Sequence, residues 1–223
     1  MKNTDSQPII IFDFGNVLID LDYSKAIASF NKLLKTDWNL TDQLPHRLVE
    51  WINVFESGML AEESFLWKFQ HNFDTNLDPT DIISAWNSLL VGMPSERFPF
   101  LLELRKKYKT YLLSNTNSLH ISWIRNYLKK EHQVMNWETD YFEKVFYSHE
   151  ILCRKPERLI YKYVMQQIGG KASDIIFIDD VEENIIAANA AGWYGVLHKP
   201  ADRIEDKLDG YIASWTENRK NLG

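Results

Sequence analysis

Asp13, Ser114, Lys155 and the pair Asp179–Asp180 have the residue types, in a workable order, for chemistry on a phosphate. One carboxylate could attack. A hydroxyl and an ammonium could hold an anion, and a carboxylate pair could hold a divalent cation. A carboxylate and a phosphate repel each other unless positive charge lies between them. Mg²⁺ supplies that charge through hard oxygen ligands, usually one or two carboxylates plus substrate oxygens. Lysine adds a further compact positive charge. An aspartate that attacks phosphorus forms a phosphoenzyme and splits one hard displacement into two easier ones. Each residue alone is an ordinary surface or strand-end side chain; the set, in order, carries the reading.

Three of these positions follow short apolar runs. Residues 9–12 lead into Asp13, 111–113 into Ser114 and 175–178 into Asp179. A fourth run, 145–147, precedes the loop that carries Lys155, and a fifth spans 194–197. Runs of Ile, Val, Leu, Phe and Tyr bounded by polar residues suit strands buried on both faces. Helical segments lie between them. Residues 98–108 end in basic side chains, 156–167 open at Pro156 and stop at Gly169–Gly170, and 182–191 close at Gly192. Such alternation predicts a parallel sheet with right-handed crossovers. Ligands then bind at the C-terminal edge of the sheet, where the polar residues sit. The stretch 23–91 reads differently: helical, without a strand, and carrying Trp38, Trp51, Trp67 and Trp86. The expected fold is α/β, a Rossmann-like parallel sheet with a helical cap inserted after the first strand. Residues 1–20 and 92–223 form the core and 21–91 the cap.

Composition bounds the function classes. The 223 residues carry 25 Lys+Arg against 31 Asp+Glu, a net charge of −6, with 45% hydrophobic residues and one cysteine. That is ordinary globular composition. One cysteine excludes a disulfide scaffold or cysteine-rich zinc site. No apolar run approaches the ~18 residues of a membrane helix, and residues 1–8 are polar rather than signal-like. The acidic balance argues against nucleic acid, which needs clustered Lys/Arg. The expectation is a cytoplasmic protein without a membrane or nucleic-acid partner; nothing in the sequence sets its oligomeric state.

Asp13-Phe14-Gly15-Asn16-Val17, Ser114-Asn115-Thr116-Asn117, Arg154-Lys155-Pro156-Glu157 and Ile178-Asp179-Asp180 resemble the four motifs of the haloacid dehalogenase (HAD) superfamily. Gly-Asn-Val after the first aspartate, with Ser-Asn-Thr-Asn and Arg-Lys-Pro-Glu, is similar to its α-D-glucose-1-phosphate phosphatase group. The resemblance spans about Ile9 to Leu197. It implies a Mg²⁺-dependent phosphatase for a small phosphorylated metabolite, with a sugar phosphate as the first candidate. It implies that Asp13 is both nucleophile and metal ligand, and that Gly15 offers its carbonyl to the metal. Ser114 and the backbone of Asn115 would bind phosphoryl oxygens, and Lys155 would neutralise charge between Asp13 and the phosphate. Asp180 would ligate the metal directly, with Asp179 behind it orienting water.

One departure stands out. Many phosphatases of this superfamily have an aspartate as general acid/base two residues after the nucleophile; here that residue is Gly15. General acid catalysis is worth ~10²–10⁴-fold. Asp20 and Asp22, where the chain enters the cap, cannot be assigned to the chemistry from sequence. The departure keeps a catalytically weak binding protein open as an alternative, with a dehalogenase behind it. Asp179–Asp180, suited to a cation, argues against the dehalogenase. A receiver module is excluded by motif order, and a kinase by the position of Asp-Phe-Gly at residue 13. Cys153 reads as an inert thiol, the six histidines as surface or structural groups, with His120 close enough to face the site. The cap tryptophans read as core before ligand platform. Asn184 could orient the metal site.

Overall fold

The chain runs β1 (Ile9–Phe12), β2 (Asp20–Leu21), α1 (Tyr23–Leu34), α2 (His46–Glu56), α3 (Glu62–Asn72), α4 (Pro79–Asn87), β3 (Leu90–Gly92), α5 (Arg97–Arg105), β4 (Lys109–Ser114), α6 (Ser118–His132), α7 (Trp137–Asp140), β5 (Lys144–Tyr147), α8 (Ser148–Ile151), α9 (Arg158–Ile168), β6 (Ile175–Asp179), α10 (Glu182–Ala190), β7 (Tyr194–Leu197) and α11 (Ile204–Leu222). The structure is a computed structural model and describes residues 7–39, 45–73 and 76–222. Segment 1–6 and residues 40–44 and 74–75 of the sequence-defined cap lie outside the described residues.

Five strands form one parallel sheet in the order β5-β4-β1-β6-β7. Alternation along β1 explains its double burial. Ile10 and Phe12 join Leu112, Ile176 and Ile178 in the core on one face, and Ile11 joins Leu113, Phe146 and Phe177 on the other. Burying each such side chain contributes ~1.5–3 kcal/mol, which is why short apolar runs suffice to fix the sheet. Because the strands are parallel, the C-terminal ends of β1, β4 and β6 lie on one edge. Asp13, Ser114 and Asp179–Asp180 therefore meet there.

Helices α1–α4 build a separate apolar cluster from Phe30, Phe55, Phe65, Phe69 and Trp86 among others. Phe55 stacks on Phe65 with centroids 4.2 Å apart, and Trp86 meets Phe65 edge-on at 5.0 Å. Asp22 caps α1 by accepting from the N–H groups of Ser24 and Lys25 at 3.0 and 3.2 Å. Asp78 caps α4, which has Pro79 in its first turn. The helical cap inserted after the first strand is thus a second hydrophobic unit.

Three sequence expectations change. Residues 90–91 are extended: Leu90 pairs with Leu21 in the antiparallel β2–β3 ribbon through which the chain enters and leaves the cap. Two- and three-residue strands carry no readable alternation. The helix expected from Pro156 begins at Arg158, because Glu157 is extended and serves as its cap residue. The helix expected over 98–108 spans Arg97–Arg105. No described helix is long and apolar enough to cross a membrane.

Candidate active site

Lys155 is the hub of the sheet edge. Its side chain is 1% exposed, and Nζ donates to Asp13 Oδ1 and to Asp179 Oδ2, both at 2.6 Å. Burial opposes its charge, but Asp13 and Asp179 outweigh burial and hold its pKa above the ordinary lysine value. Asn115 fixes the lysine in place: its side chain donates to the Lys155 carbonyl and accepts from the Lys155 N–H, each at 2.8 Å.

Asp13 follows β1 and is almost fully buried. Burial pushes its carboxyl up to about 7; Lys155 pulls against this, and Asp179 and Asp180 add to it. One lysine does not balance three crowded carboxylates. Ligand oxygens of Asp13, Asp179 and Asp180 lie within 4.8 Å of one another. Hard oxygen donors in this number, carrying excess negative charge, fit a divalent cation such as Mg²⁺. The three acids differ in what they already hold. Asp179 is saturated: Lys155 binds Oδ2, the Val181 N–H binds Oδ1 at 2.8 Å, and Asn184 Nδ2 reaches both oxygens at 3.0 Å. Asp180 accepts from Asn16 Nδ2 at 2.8 Å. Its carboxyl is raised, first by burial and then by Asp179, against the Asn16 bond.

Ser114 ends β4 and is buried. Gly15 lies beside it along the lining of one cavity. A Cβ at Gly15 would sit 2.7 Å from Leu21 Cδ1, at the tip of a flexible side chain in the first residue of the cap. Asp20 and Asp22 do not replace the missing aspartate. Asp20 is exposed in the β2–β3 ribbon, and Asp22 is spent on the α1 cap. Cys153 is inert: burial, and then its bond to Glu157, push the thiol up to about 11.

The sequence reading missed three participants. Asn16 adopts φ 55, a left-handed conformation that asparagine tolerates, and this aims its amide at Asp180. Glu56 at the end of α2 accepts from Arg154 at 3.0 Å, one residue before Lys155. Ser148 accepts from the Thr116 N–H at 2.9 Å and donates to the Glu56 carbonyl at 2.6 Å. Only the Gly-Asn step after Asp13 offered a signal, since Asn is enriched at left-handed positions. The other two join segments far apart in sequence.

A family model described as haloacid dehalogenase-like hydrolase matches residues 8–192. A D-ribitol-5-phosphate phosphatase of Bacteroides thetaiotaomicron is 28% identical over 185 residues, covering 82% of this chain and 88% of that protein. A sesquiterpene phosphatase of Aspergillus oryzae is 42% identical over 189 residues, 83% of this chain and 87% of that one. A HAD family enzyme of Bacteroides thetaiotaomicron, solved with magnesium and inorganic phosphate, superimposes with a TM-score of 0.73 at 30% identity, covering 88% of this chain and 96% of that one. With the family model matching most of its length, this chain belongs to the haloacid dehalogenase-like hydrolases.

Proposed function

We propose that the chain is a Mg²⁺-dependent phosphatase that hydrolyses a small phosphorylated metabolite through an aspartyl-phosphate on Asp13. The observation that carries this reading is Lys155 held between Asp13 and Asp179 at 2.6 Å, with Asp180 completing the acidic cluster. Lys155 occupies Asp13 Oδ1, which leaves Oδ2 to attack phosphorus. The phosphorus–oxygen bond to the leaving group breaks as the Asp13 oxygen–phosphorus bond forms, and the leaving alkoxide takes a proton from solvent. Water then attacks the aspartyl-phosphate, releasing inorganic phosphate and restoring the Asp13 carboxylate. Ser114 and the Asn115 N–H hold the phosphoryl oxygens, and Lys155 keeps positive charge beside them. Asp13, the Gly15 carbonyl and Asp180 would hold the Mg²⁺, which neutralises charge between nucleophile and phosphate. Asp179, fixed by Asn184, acts from behind by holding Lys155.

Gly15 supplies no side-chain proton, so the leaving oxygen takes its proton from water rather than from the nucleophile loop. Gly15 alone was the ground for a non-catalytic binding role, and the complete Asp13–Lys155–Asp179–Asp180 set tells against that role. Residues 21–91, entered and left through the paired Leu21 and Leu90, act as the cap that closes over the substrate. The single, buried free cysteine suits a reducing compartment such as the cytoplasm. The relatives' substrates, a pentitol phosphate in one and a sesquiterpene in the other, share the phosphate and differ in everything else.

Hydrolysis of para-nitrophenyl phosphate tests the reading. Turnover with Mg²⁺ that is lost in EDTA and in Asp13→Asn is expected. Turnover that survives both would overturn the mechanism.

A further inference from the structure

The cavity over the sheet edge decides between those two kinds of leaving group. It measures about 350 Å³ and opens at its base onto Gly15, Ser114 and Asn115, so anything seated in it meets the phosphate end. At the ~30 Å³ that a water occupies in the liquid, it has room for on the order of ten or more heavy atoms. Above that base its wall is hydrocarbon: Ile27, Phe30, Trp38, Ile52 and Phe69 from the cap, with Leu21 from the entry ribbon. Leu21 Cδ1 lies 2.7 Å from where a Gly15 Cβ would sit, so the apolar wall reaches down to the nucleophile loop.

Several of the polar groups in the wall are already engaged. Trp86 Nε1 donates to Asn117 Oδ1 at 3.2 Å. His120 Nε2 donates to the Trp86 carbonyl at 3.3 Å, and burial pushes this imidazole down to about 4, so it stays neutral. Glu56 is held by Arg154. Asn39 also has a partner, while burial, then the nearby charges of Asp180, Asp13 and Glu56, push the Tyr23 hydroxyl up to about 12 and mark it as a polar group at the phosphate end of the cavity. A polyol seated here would strip several hydroxyls of water, and only Tyr23, Glu56 and Thr116 in the lining could bond them, while the rest of the wall is hydrocarbon. Each buried hydroxyl without a partner lowers affinity by about ten-fold. An apolar leaving group gains at the same positions, by about ten-fold or more for each well-fitted methylene.

We infer that the cap cavity selects a phosphate monoester whose leaving group is a branched or ringed hydrocarbon, of isoprenoid size, over a sugar or polyol phosphate. This rests on the phosphatase reading above and names its substrate class. The chemistry is unchanged: the alkoxide of an apolar alcohol leaves Asp13-bound phosphorus and is protonated by solvent.

Two measurements test it. The first is kcat/KM with Mg²⁺ for geranyl monophosphate, D-ribitol 5-phosphate and para-nitrophenyl phosphate. Geranyl monophosphate is expected to exceed ribitol 5-phosphate by about 100-fold or more. In Ile52→Gln, and in Ala26→Phe, which fills the cavity, that ratio is expected to fall by about ten-fold or more. Ribitol 5-phosphate turned over as well as geranyl monophosphate, while the aryl ester reports an active enzyme, overturns the inference and leaves the phosphatase standing. The second is calorimetry on Asp13→Asn, which reads the cavity even if no ester is hydrolysed. Geranyl monophosphate binding about 100-fold tighter than ribitol 5-phosphate, with a negative heat-capacity change, supports the inference; equal affinities, or tighter ribitol 5-phosphate, overturn it.

Discussion

The sheet edge and the cap cavity adjoin at Gly15, yet they are built on opposite physical terms. At the edge, a buried lysine and three carboxylates sit in a few ångströms, and Asp179 alone accepts four hydrogen bonds. Such a cluster is costly to bury, and it is tolerated where the charge is used. In the cavity, aromatic and aliphatic side chains form most of the wall, and polar groups are few. The first arrangement fixes what is done to a phosphate. The second fixes what the phosphate is attached to. Reaction and selectivity are therefore separable here, and variants in one region should leave a signature different from variants in the other.

The sharpest break of that comparison is at the edge. Asp13→Asn is expected to lower kcat by at least about 10⁴-fold with para-nitrophenyl phosphate, because the attacking oxygen is lost. Calorimetry should still detect phosphate-ester binding in the same variant. Lys155→Met comes next, with about a 10²–10³-fold loss of kcat. Removing the lysine also strands Asp13 and Asp179 without their buried cation. In EDTA, urea unfolding should therefore show a loss of about 3–5 kcal/mol. A Lys155→Met protein as stable as the parent would mean that the carboxylates are better hydrated than their burial implies.

Smaller effects mark the supports. Asn184→Ala is expected to weaken Mg²⁺ by about 10–100-fold, since it frees Asp179 to turn; titration of Mg²⁺ against activity measures this. On α6, facing the cavity, His120 is buried with its pKa near 4 against 6.5 when unfolded. The unfolded chain therefore takes up this proton first, and stability falls as pH drops from about 6.5 towards 4. The loss approaches about 3 kcal/mol at the lower end. His120→Gln should remove that part of the slope in melting temperature, with little effect on the edge.

The edge was far more legible in the sequence than the cavity, for a physical reason. Strand-end residues announce themselves: an apolar run that stops at Asp13 or Asp179 says both where the strand ends and what faces the ligand. The parallel order then brings them together without further information. Cap residues such as Ile27, Ile52 and Phe69 lie on different helices, and amphipathic spacing says only that each faces inward. Whether inward means core or cavity depends on how α1–α4 are mutually placed. Trp86 does both, packing on Phe65 while lining the cavity. Asn16 was hidden differently: its amide reaches Asp180 only because its own backbone turns left-handed.

The contact between Gly15 and Leu21 sets a rule for exchanging parts. Residue 15 belongs to the loop after β1, residue 21 to the ribbon that starts the cap, and a Cβ at 15 would lie 2.7 Å from Leu21 Cδ1, so a side chain there would make Leu21 turn aside. A cap transplanted from a relative that keeps an aspartate at the first position would arrive shaped for a different neighbour. Grafts cut after residue 21 keep Leu21 with its own Gly15, while grafts cut between 15 and 21 bring in a residue 21 suited to a different residue 15. The unit that can be swapped is therefore the cap beyond its entry strand, or the cap with residues 15 and 21 changed as a pair.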